Sequence, residues 1–156
     1  EFDYKSAAEQ FVNDLAAEKY AEAGKTFDDA MKSAMPEAVL KETPAAKDGS
    51  RRIRYTNPLT GGAAMPGIDC YMLAPGQGAE TRAYRSNANM VCLAATGEGV
   101  STIGDETITW KKNDIFTLPR GNWITHKATS GDAKLFQLTD RDVLAQIHYL
   151  REEFAD

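Results

Sequence analysis

The sequence is short of several things, and each shortage excludes a class of function. There is no basic excess: Lys and Arg total 18 against 23 Asp and Glu, a net charge of −5. Nothing is therefore available to hold a phosphate backbone, and nucleic acid is not an expected partner. No apolar run approaches the roughly 20 residues that a membrane-spanning helix needs, so a soluble chain with no membrane partner is expected. Cysteine is scarce. Cys70 and Cys92 are too few for a disulfide framework, and both sit in apolar, strand-like runs that read as buried free thiols. The chain opens at Glu1 without methionine, which reads as the removal of a tag, a signal peptide or a longer N-terminus. Its compartment, cytoplasmic or exported, is left open by the sequence.

What is present is ordinary for a soluble globular protein, with 42% hydrophobic and 26% charged residues in 156. That length suffices for one domain with a real core and a small appendage. The first third is helical in pattern. Apolar residues recur at Ala8, Phe11, Val12 and Leu15, then at Tyr20, Ala23, Phe27 and Met31, the spacing of an amphipathic stripe. Two helices meeting near Lys19 are expected, with Ser6 and Glu9 as a capping box and Pro36 opening a short third turn, "PEAVLKE".

At "TPAAKDGS" (43–50) the period changes from 3.6 to 2. Nine strands are expected at 52–56, 68–73, 81–85, 89–95, 100–103, 107–110, 115–118, 123–129 and 134–138. Turn chemistry separates them, as in "NPLTGG", "APGQG", "TGEG", "KKND" and "PRGN". Short strands on a regular beat, without crossover helices, predict a mainly β antiparallel sandwich or barrel. A last amphipathic helix is expected over 141–154, with Val143, Leu144, Ile147, Leu150 and Phe154 on one side. The domain reading is thus 1–46 as a helical hairpin and 47–156 as a barrel with a C-terminal helix.

The runs "RIRYTNPLTGGAAMPGIDCYMLAPG", "GEGVSTIGDETITWKKNDIFTLP" and "SGDAKLFQLTDRDVLAQIHYLREE" resemble the C-terminal cupin of the gentisate 1,2-dioxygenase family over about residues 48–156. The resemblance implies a double-stranded β-helix, or jelly-roll barrel. It also implies relatives that cleave hydroxybenzoate rings with Fe(II) and O₂, using iron held in an N-terminal cupin. The helical stretch "AEQFVNDLAAEKYAEAGKTFDDAMKSAMPEAVL" resembles the opening of a short NTF2-like domain of unknown function found in exported bacterial proteins, implying a bacterial source.

The general cupin pattern lies on this chain without a gap. G-x5-H-x-H-x3-E-x6-G falls on Gly78, Tyr84, Ser86, Met90 and Gly97, and G-x5-P-x-G-x2-H falls on Asn113, Pro119, Gly121 and Ile124. Turn positions are kept apart from Asn113, while Tyr, Ser, Met and Ile stand where three imidazoles and a carboxylate would be. A mononuclear Fe(II) oxygenase needs about three N/O ligands on one face. Here Ile has no lone pair, Met suits a hard site poorly, and tyrosine must ionise from a pKa near 10. No metal and no cofactor are expected, with Fe(II) the cofactor of the alternative reading.

Strand alternation extends the candidate site. His126 shares the parity of Ile124, and Arg82 that of Tyr84 and Ser86, so all of these are expected to face the barrel interior. Arg82 there offers a bidentate clamp for a carboxylate, or else it snorkels to the barrel mouth. His126 is either a hydrogen-bonded wall residue or a ligand contact. Trp123, beside Ile124, is a further candidate for lining the cavity, and Arg85, of opposite parity, is expected outside. His148 reads as structural, near a helix C-terminus.

Three functions follow. The first is a non-catalytic cupin that has lost its metal ligands and binds a small aromatic or carboxylic acid, or serves in assembly, through Arg82, Tyr84, Ser86, Met90, Trp123, Ile124 and His126. The second is a metal-dependent ring-cleaving dioxygenase or a subunit of one. The third is a metal-free enzyme using Tyr84 and His126 as acid–base groups. A homodimer is expected, because the helical stripe offers apolar surface that one chain leaves uncovered.

Overall fold

A computed structural model describes residues 37–155. The two helices expected before Pro36, and the resemblance carried on them, lie outside the described residues. The chain divides into two compact units, Glu1–Glu42 and Thr43–Asp156. The described part of the first is one short helix, α1 (Glu37–Glu42), directly after Pro36. Among the described residues no helix is long and apolar enough to cross a membrane.

The second unit contains β1 (Arg51–Tyr55), β2 (Asp69–Ala74), β3 (Tyr84–Ser86), β4 (Met90–Thr96), β5 (Glu98–Ile103), β6 (Glu106–Lys111), β7 (Ile115–Leu118), β8 (Ile124–Ala128) and β9 (Lys134–Thr139), then α2 (Arg141–Gln146) and β10 (Glu152–Phe154). They form two five-stranded antiparallel sheets, ordered β1-β2-β9-β4-β7 and β10-β3-β8-β5-β6. This is the mainly β cupin barrel that the turn spacing and the resemblance predict.

Alternation builds the core. In β8 the inward positions Ile124, His126 and Ala128 are buried, with Lys127 exposed between them. Register aligns the inward side chains of the first sheet in rows: Leu73 beside Leu135 beside Ala94, and Asp69 beside Thr139 beside Met90 beside Leu118. One apolar cluster gathers Leu73, Ala94, Trp110, Ala128, Ala133 and Leu135. A second joins Met90, Cys92, Leu118 and Ile124, and Phe116 packs against both. Cys70 and Cys92 are buried free thiols.

The turn residues of the pattern earn their places through backbone conformation. Gly97 has φ +73°, and a Cβ there would lie 2.5 Å from Ala133 Cα. Asn113, standing where the pattern has glycine, has φ 75°. Asparagine is among the few side-chain-bearing residues that enter the left-handed region readily, so the turn is kept without glycine.

The C-terminus differs from the sequence expectation. The helix ends at Gln146, and the chain reverses at His148, φ 57°. Tyr149 and Leu150 both donate their backbone N–H to Leu144 O, at 2.8 and 3.0 Å. The tail then runs as β10 antiparallel to β3, Glu152 opposite Ser86 and Phe154 opposite Tyr84. A helical stripe was legible in residues 143–154, but β3 needs a neighbour on its open edge, and tertiary pairing outweighs local periodicity.

Candidate functional site

The site grows from the register of β3 and β8. Tyr84 lies directly opposite Ile124, and His126 follows two residues on, opposite Ser101 of β5. Between the sheets is a cavity of about 270 Å³. Its lining includes Arg82, Tyr84, Met90, Ile124 and His126 from the expected set. Ser86 is buried off this wall, its Oγ accepting the Ala88 N–H at 3.0 Å. Trp123 is also off it, 37% exposed, with the Arg85 guanidinium 4.7 Å from its ring centre.

Arg82 is committed at the mouth. Its Nε donates to Ala155 O, its guanidinium carbon lies 5.2 Å from the Phe154 ring centre, and its backbone N–H donates to Asp48 Oδ2 at 2.6 Å. The cation not identified from sequence is Arg52, on β1. It lines the cavity, its guanidinium carbon sits 3.9 Å from the Tyr71 ring centre and 6.0 Å from that of Tyr84, and its guanidinium makes no hydrogen bond or ion pair with a described residue. The alternation of "RRIRY" shows that Arg52 and Arg54 share a face, but not that the face is the inner one.

His126 ends a buried chain of hydrogen bonds. Trp110 Nε1–H donates to Ser101 Oγ at 2.8 Å, and that oxygen lies 2.7 Å from His126 Nδ1. Burial, with the Arg52 charge a smaller contribution, pushes the His126 pKa down to about 4. The histidine is neutral at pH 7. Protonation is therefore disfavoured in the folded chain relative to the unfolded one, and the sign follows: stability is full above about pH 6.5, falls as pH drops toward about 4, and levels below. The expected loss across that window is roughly 3 kcal/mol. Urea unfolding at several pH values measures it, and His126→Gln should flatten the same window.

Tyr84 donates its hydroxyl to Glu152 Oε1 at 2.7 Å, and burial, reinforced by this carboxylate, outweighs a hydrogen bond from Ser86 and raises its pKa to about 12. Burial alone would raise Glu152. The hydrogen bonds from Arg141 and Tyr84, and the charges of Arg141 and Arg52, outweigh burial and hold its pKa below the ordinary carboxylate value. Arg141 grips Glu152 with two bonds, at 3.0 and 2.7 Å, and lies 3.7 Å from Asp69, which also takes Arg54 at 2.6 Å. Asp69 is fully buried. This network ties the C-terminal strand to the barrel and, through Phe154, completes the cavity wall.

The four positions of the metal pattern do not fit an Fe(II) centre. Tyr84 keeps its proton and directs it to Glu152, Ser86 is neutral and engaged by Ala88 and Tyr84, Met90 packs in the apolar cluster, and Ile124 has no donor. Among the described residues no group of three or more His, Cys, Asp or Glu is placed to hold a metal. His126 supplies one imidazole. As acid–base groups at neutral pH, His126 is the unprotonated partner and Tyr84 has its proton directed away from the cavity.

The chain matches no established family model. It is 36% identical over 101 residues to gentisate 1,2-dioxygenase 1 of Aquipseudomonas alcaligenes, an alignment covering 65% of this chain and 29% of that protein. The homologues are gentisate-type dioxygenases. The gentisate-dioxygenase-like cupin also superposes on a salicylate 1,2-dioxygenase variant of Pseudoaminobacter salicylatoxidans in complex with gentisate, with TM-score 0.68, 26% identity, and coverage of 83% of this chain and 36% of that one. A cupin 2 domain-containing protein of Halorhodospira halophila shares the fold alone, at TM-score 0.50 and 19% identity, over 63% of this chain and 67% of that one. The cupin chain spans between 27% and 33% of the length of the curated relatives it matches.

Proposed function

We propose that this cupin has lost the ring-cleaving metal chemistry of its relatives and acts as a small-molecule-binding and assembly module, taking a small aromatic or carboxylic acid into its barrel. The observation that supports this is the set of four substituted ligand positions, each engaged in a non-metal contact, around an intact cavity lined by an arginine that has no ion pair among the described residues. The relatives' names, gentisate and salicylate dioxygenases, point to the same ligand class. Two copies pair as a homodimer in this reading.

The second reading, a ring-cleaving dioxygenase or a subunit of one with Fe(II), is favoured by the sequence similarity itself. One experiment separates them. Protein purified without chelator is analysed for metal, for O₂ uptake on gentisate, and for thermal shift with gentisate, salicylate and benzoate. The first reading expects acid-dependent shifts of several degrees with neither stoichiometric iron nor O₂ uptake. Iron near one per chain with turnover establishes the second and sinks the first. Light scattering at tens of micromolar checks the dimer, and a monomer there refutes it.

A further inference from the structure

The polar atoms that line the cavity divide sharply into those already used and those left over. Asp48 is the carboxylate of the wall, and its oxygens accept from the Arg82 N–H, the Ser50 N–H and the Ser50 hydroxyl. Thr81 Oγ1 accepts the His126 N–H at 2.9 Å. Tyr84 is engaged by Glu152. Gln137 directs an amide N–H to the Cys92 thiol and keeps its carbonyl oxygen as a neutral acceptor in the wall. Among the donors Arg52 stands out, with a guanidinium of five N–H groups and no acceptor among the described residues.

His126 supplies the second donor, and its tautomer follows from hydrogen-bond bookkeeping. Trp110 Nε1–H can only donate, so Ser101 Oγ accepts from it. If His126 Nδ1 also donated to that oxygen, the hydroxyl proton of Ser101, a fully buried residue, would have no acceptor, at a cost in free energy. Ser101 therefore donates to Nδ1, and the ring proton sits on Nε2. Among the buried side-chain polar atoms of the described residues only Tyr55 Oη lacks a partner. His126 Nε2 makes no hydrogen bond with a described residue, and it opens on the cavity that the residue lines.

We propose that Arg52 and the Nε2–H of His126 form an acceptor-reading subsite that holds the carboxylate of a small apolar acid, with Leu73, Met90, Leu118 and Ile124 around its hydrocarbon part. This rests on the reading that the barrel binds a small acid, and specifies which atoms do so. Both groups donate and neither accepts, so the subsite takes an anionic acceptor and rejects an ammonium group. The cavity, at about 270 Å³, lies just below the ~300–1,000 Å³ typical of drug-sized ligand sites, which suits a single substituted ring. The guanidinium over Tyr71 is held in place before the ligand arrives, so less side-chain entropy is lost on binding.

Titration calorimetry on the full chain tests this with benzoate, benzamide and benzylamine as probes. Benzoate binds, benzamide binds at least about tenfold more weakly, and benzylamine does not bind. Arg52→Met, which keeps an aliphatic stem over Tyr71, loses at least about tenfold in benzoate affinity, Arg52→Lys recovers part, and the outer-face control Arg85→Gln stays within about twofold. Imidazole nitrogen NMR places the His126 proton on Nε2 and reports a downfield move of that N–H with benzoate. Wild-type binding that survives Arg52→Met, or a proton on Nδ1, overturns the subsite while leaving an acid-binding barrel. No binding of benzoate, salicylate or gentisate to the wild type overturns the acid-binding reading and the subsite with it.

Discussion

Trp110→Ala is expected to cost about 4 kcal/mol or more of unfolding free energy, a large share of the roughly 5–15 kcal/mol that holds an ordinary domain folded. Trp110 is 1% exposed, stacks on Phe116 at 6.4 Å between ring centres, and belongs to the apolar cluster of Leu73, Ala94, Ala128, Ala133 and Leu135. Removing its ring loses the transfer free energy of a large side chain and leaves a cavity, together about 3–5 kcal/mol. The same change strips Ser101 Oγ of its donor in a site with no water access, adding about 1–3 kcal/mol. Trp110→Phe separates the two contributions. It fills most of the volume and removes only the N–H, so the smaller figure is expected from it. Urea unfolding followed by the remaining tryptophan, Trp123, measures both. A loss for Trp110→Ala below about 1 kcal/mol would contradict the core described here.

The second large effect is at Asp69. Its carboxylate is fully buried and takes Arg54 at 2.6 Å and Arg141 at 3.7 Å, while the two arginine side chains are 35% and 29% exposed. Asp69→Ala removes the buried anion that both cations share and leaves Arg141 to Glu152 and Arg54 to the more distant Asp142, 3.9 Å away. Breaking one partner of a buried pair costs about 3–5 kcal/mol, and the partial hydration of both arginines argues for the lower end, about 3 kcal/mol. Asp69→Asn should lose nearly as much, because the charge and not the shape is what the arginines meet. A structural consequence accompanies the loss. Arg141 also grips Glu152, which takes the Tyr84 hydroxyl, so loosening Arg141 loosens β10 and the Phe154 wall of the cavity. Hydrogen exchange of the amides at 152–155, measured in Asp69→Asn under native conditions, should rise well before the core strands respond. Exchange that rises uniformly across the barrel would mean that the network stabilises the whole fold and not the strap.

The alternation and turn chemistry of residues 51–139 fix their own strands, because period 2 and left-handed turn positions are local properties of the chain. That is why nine strands are legible, why Gly97 and Asn113 hold the positive φ that the motif requires, and why Tyr84, Met90, Ile124 and His126 reach the cavity together. Parity says which side chains share a face. It does not say how far into the barrel a strand extends, so Ser86 shares the parity of Tyr84 yet stands off the cavity wall, whereas Trp123, of opposite parity to Ile124, meets Arg85 instead. The C-terminal stretch shows the limit most plainly. Its apolar spacing fits a helix to Phe154, yet the open edge of β3, the turn at His148 and the Arg141 grip on Glu152 draw its end into a strand.

By itself the sequence determined a β barrel with a complete turn frame and substituted ligand positions, since both depend on residue types at fixed spacing. Only the tertiary structure decided how the two cations that line the cavity are engaged. Arg82 and Arg52 lie 30 residues apart and look equally available in the chain. The pairing of β1 with β2 puts Arg52 over Tyr71 on the inner face, while the returning tail claims Arg82 through Ala155 and Phe154. Contacts between distant segments set the electrostatics of the site, and no local pattern carries them.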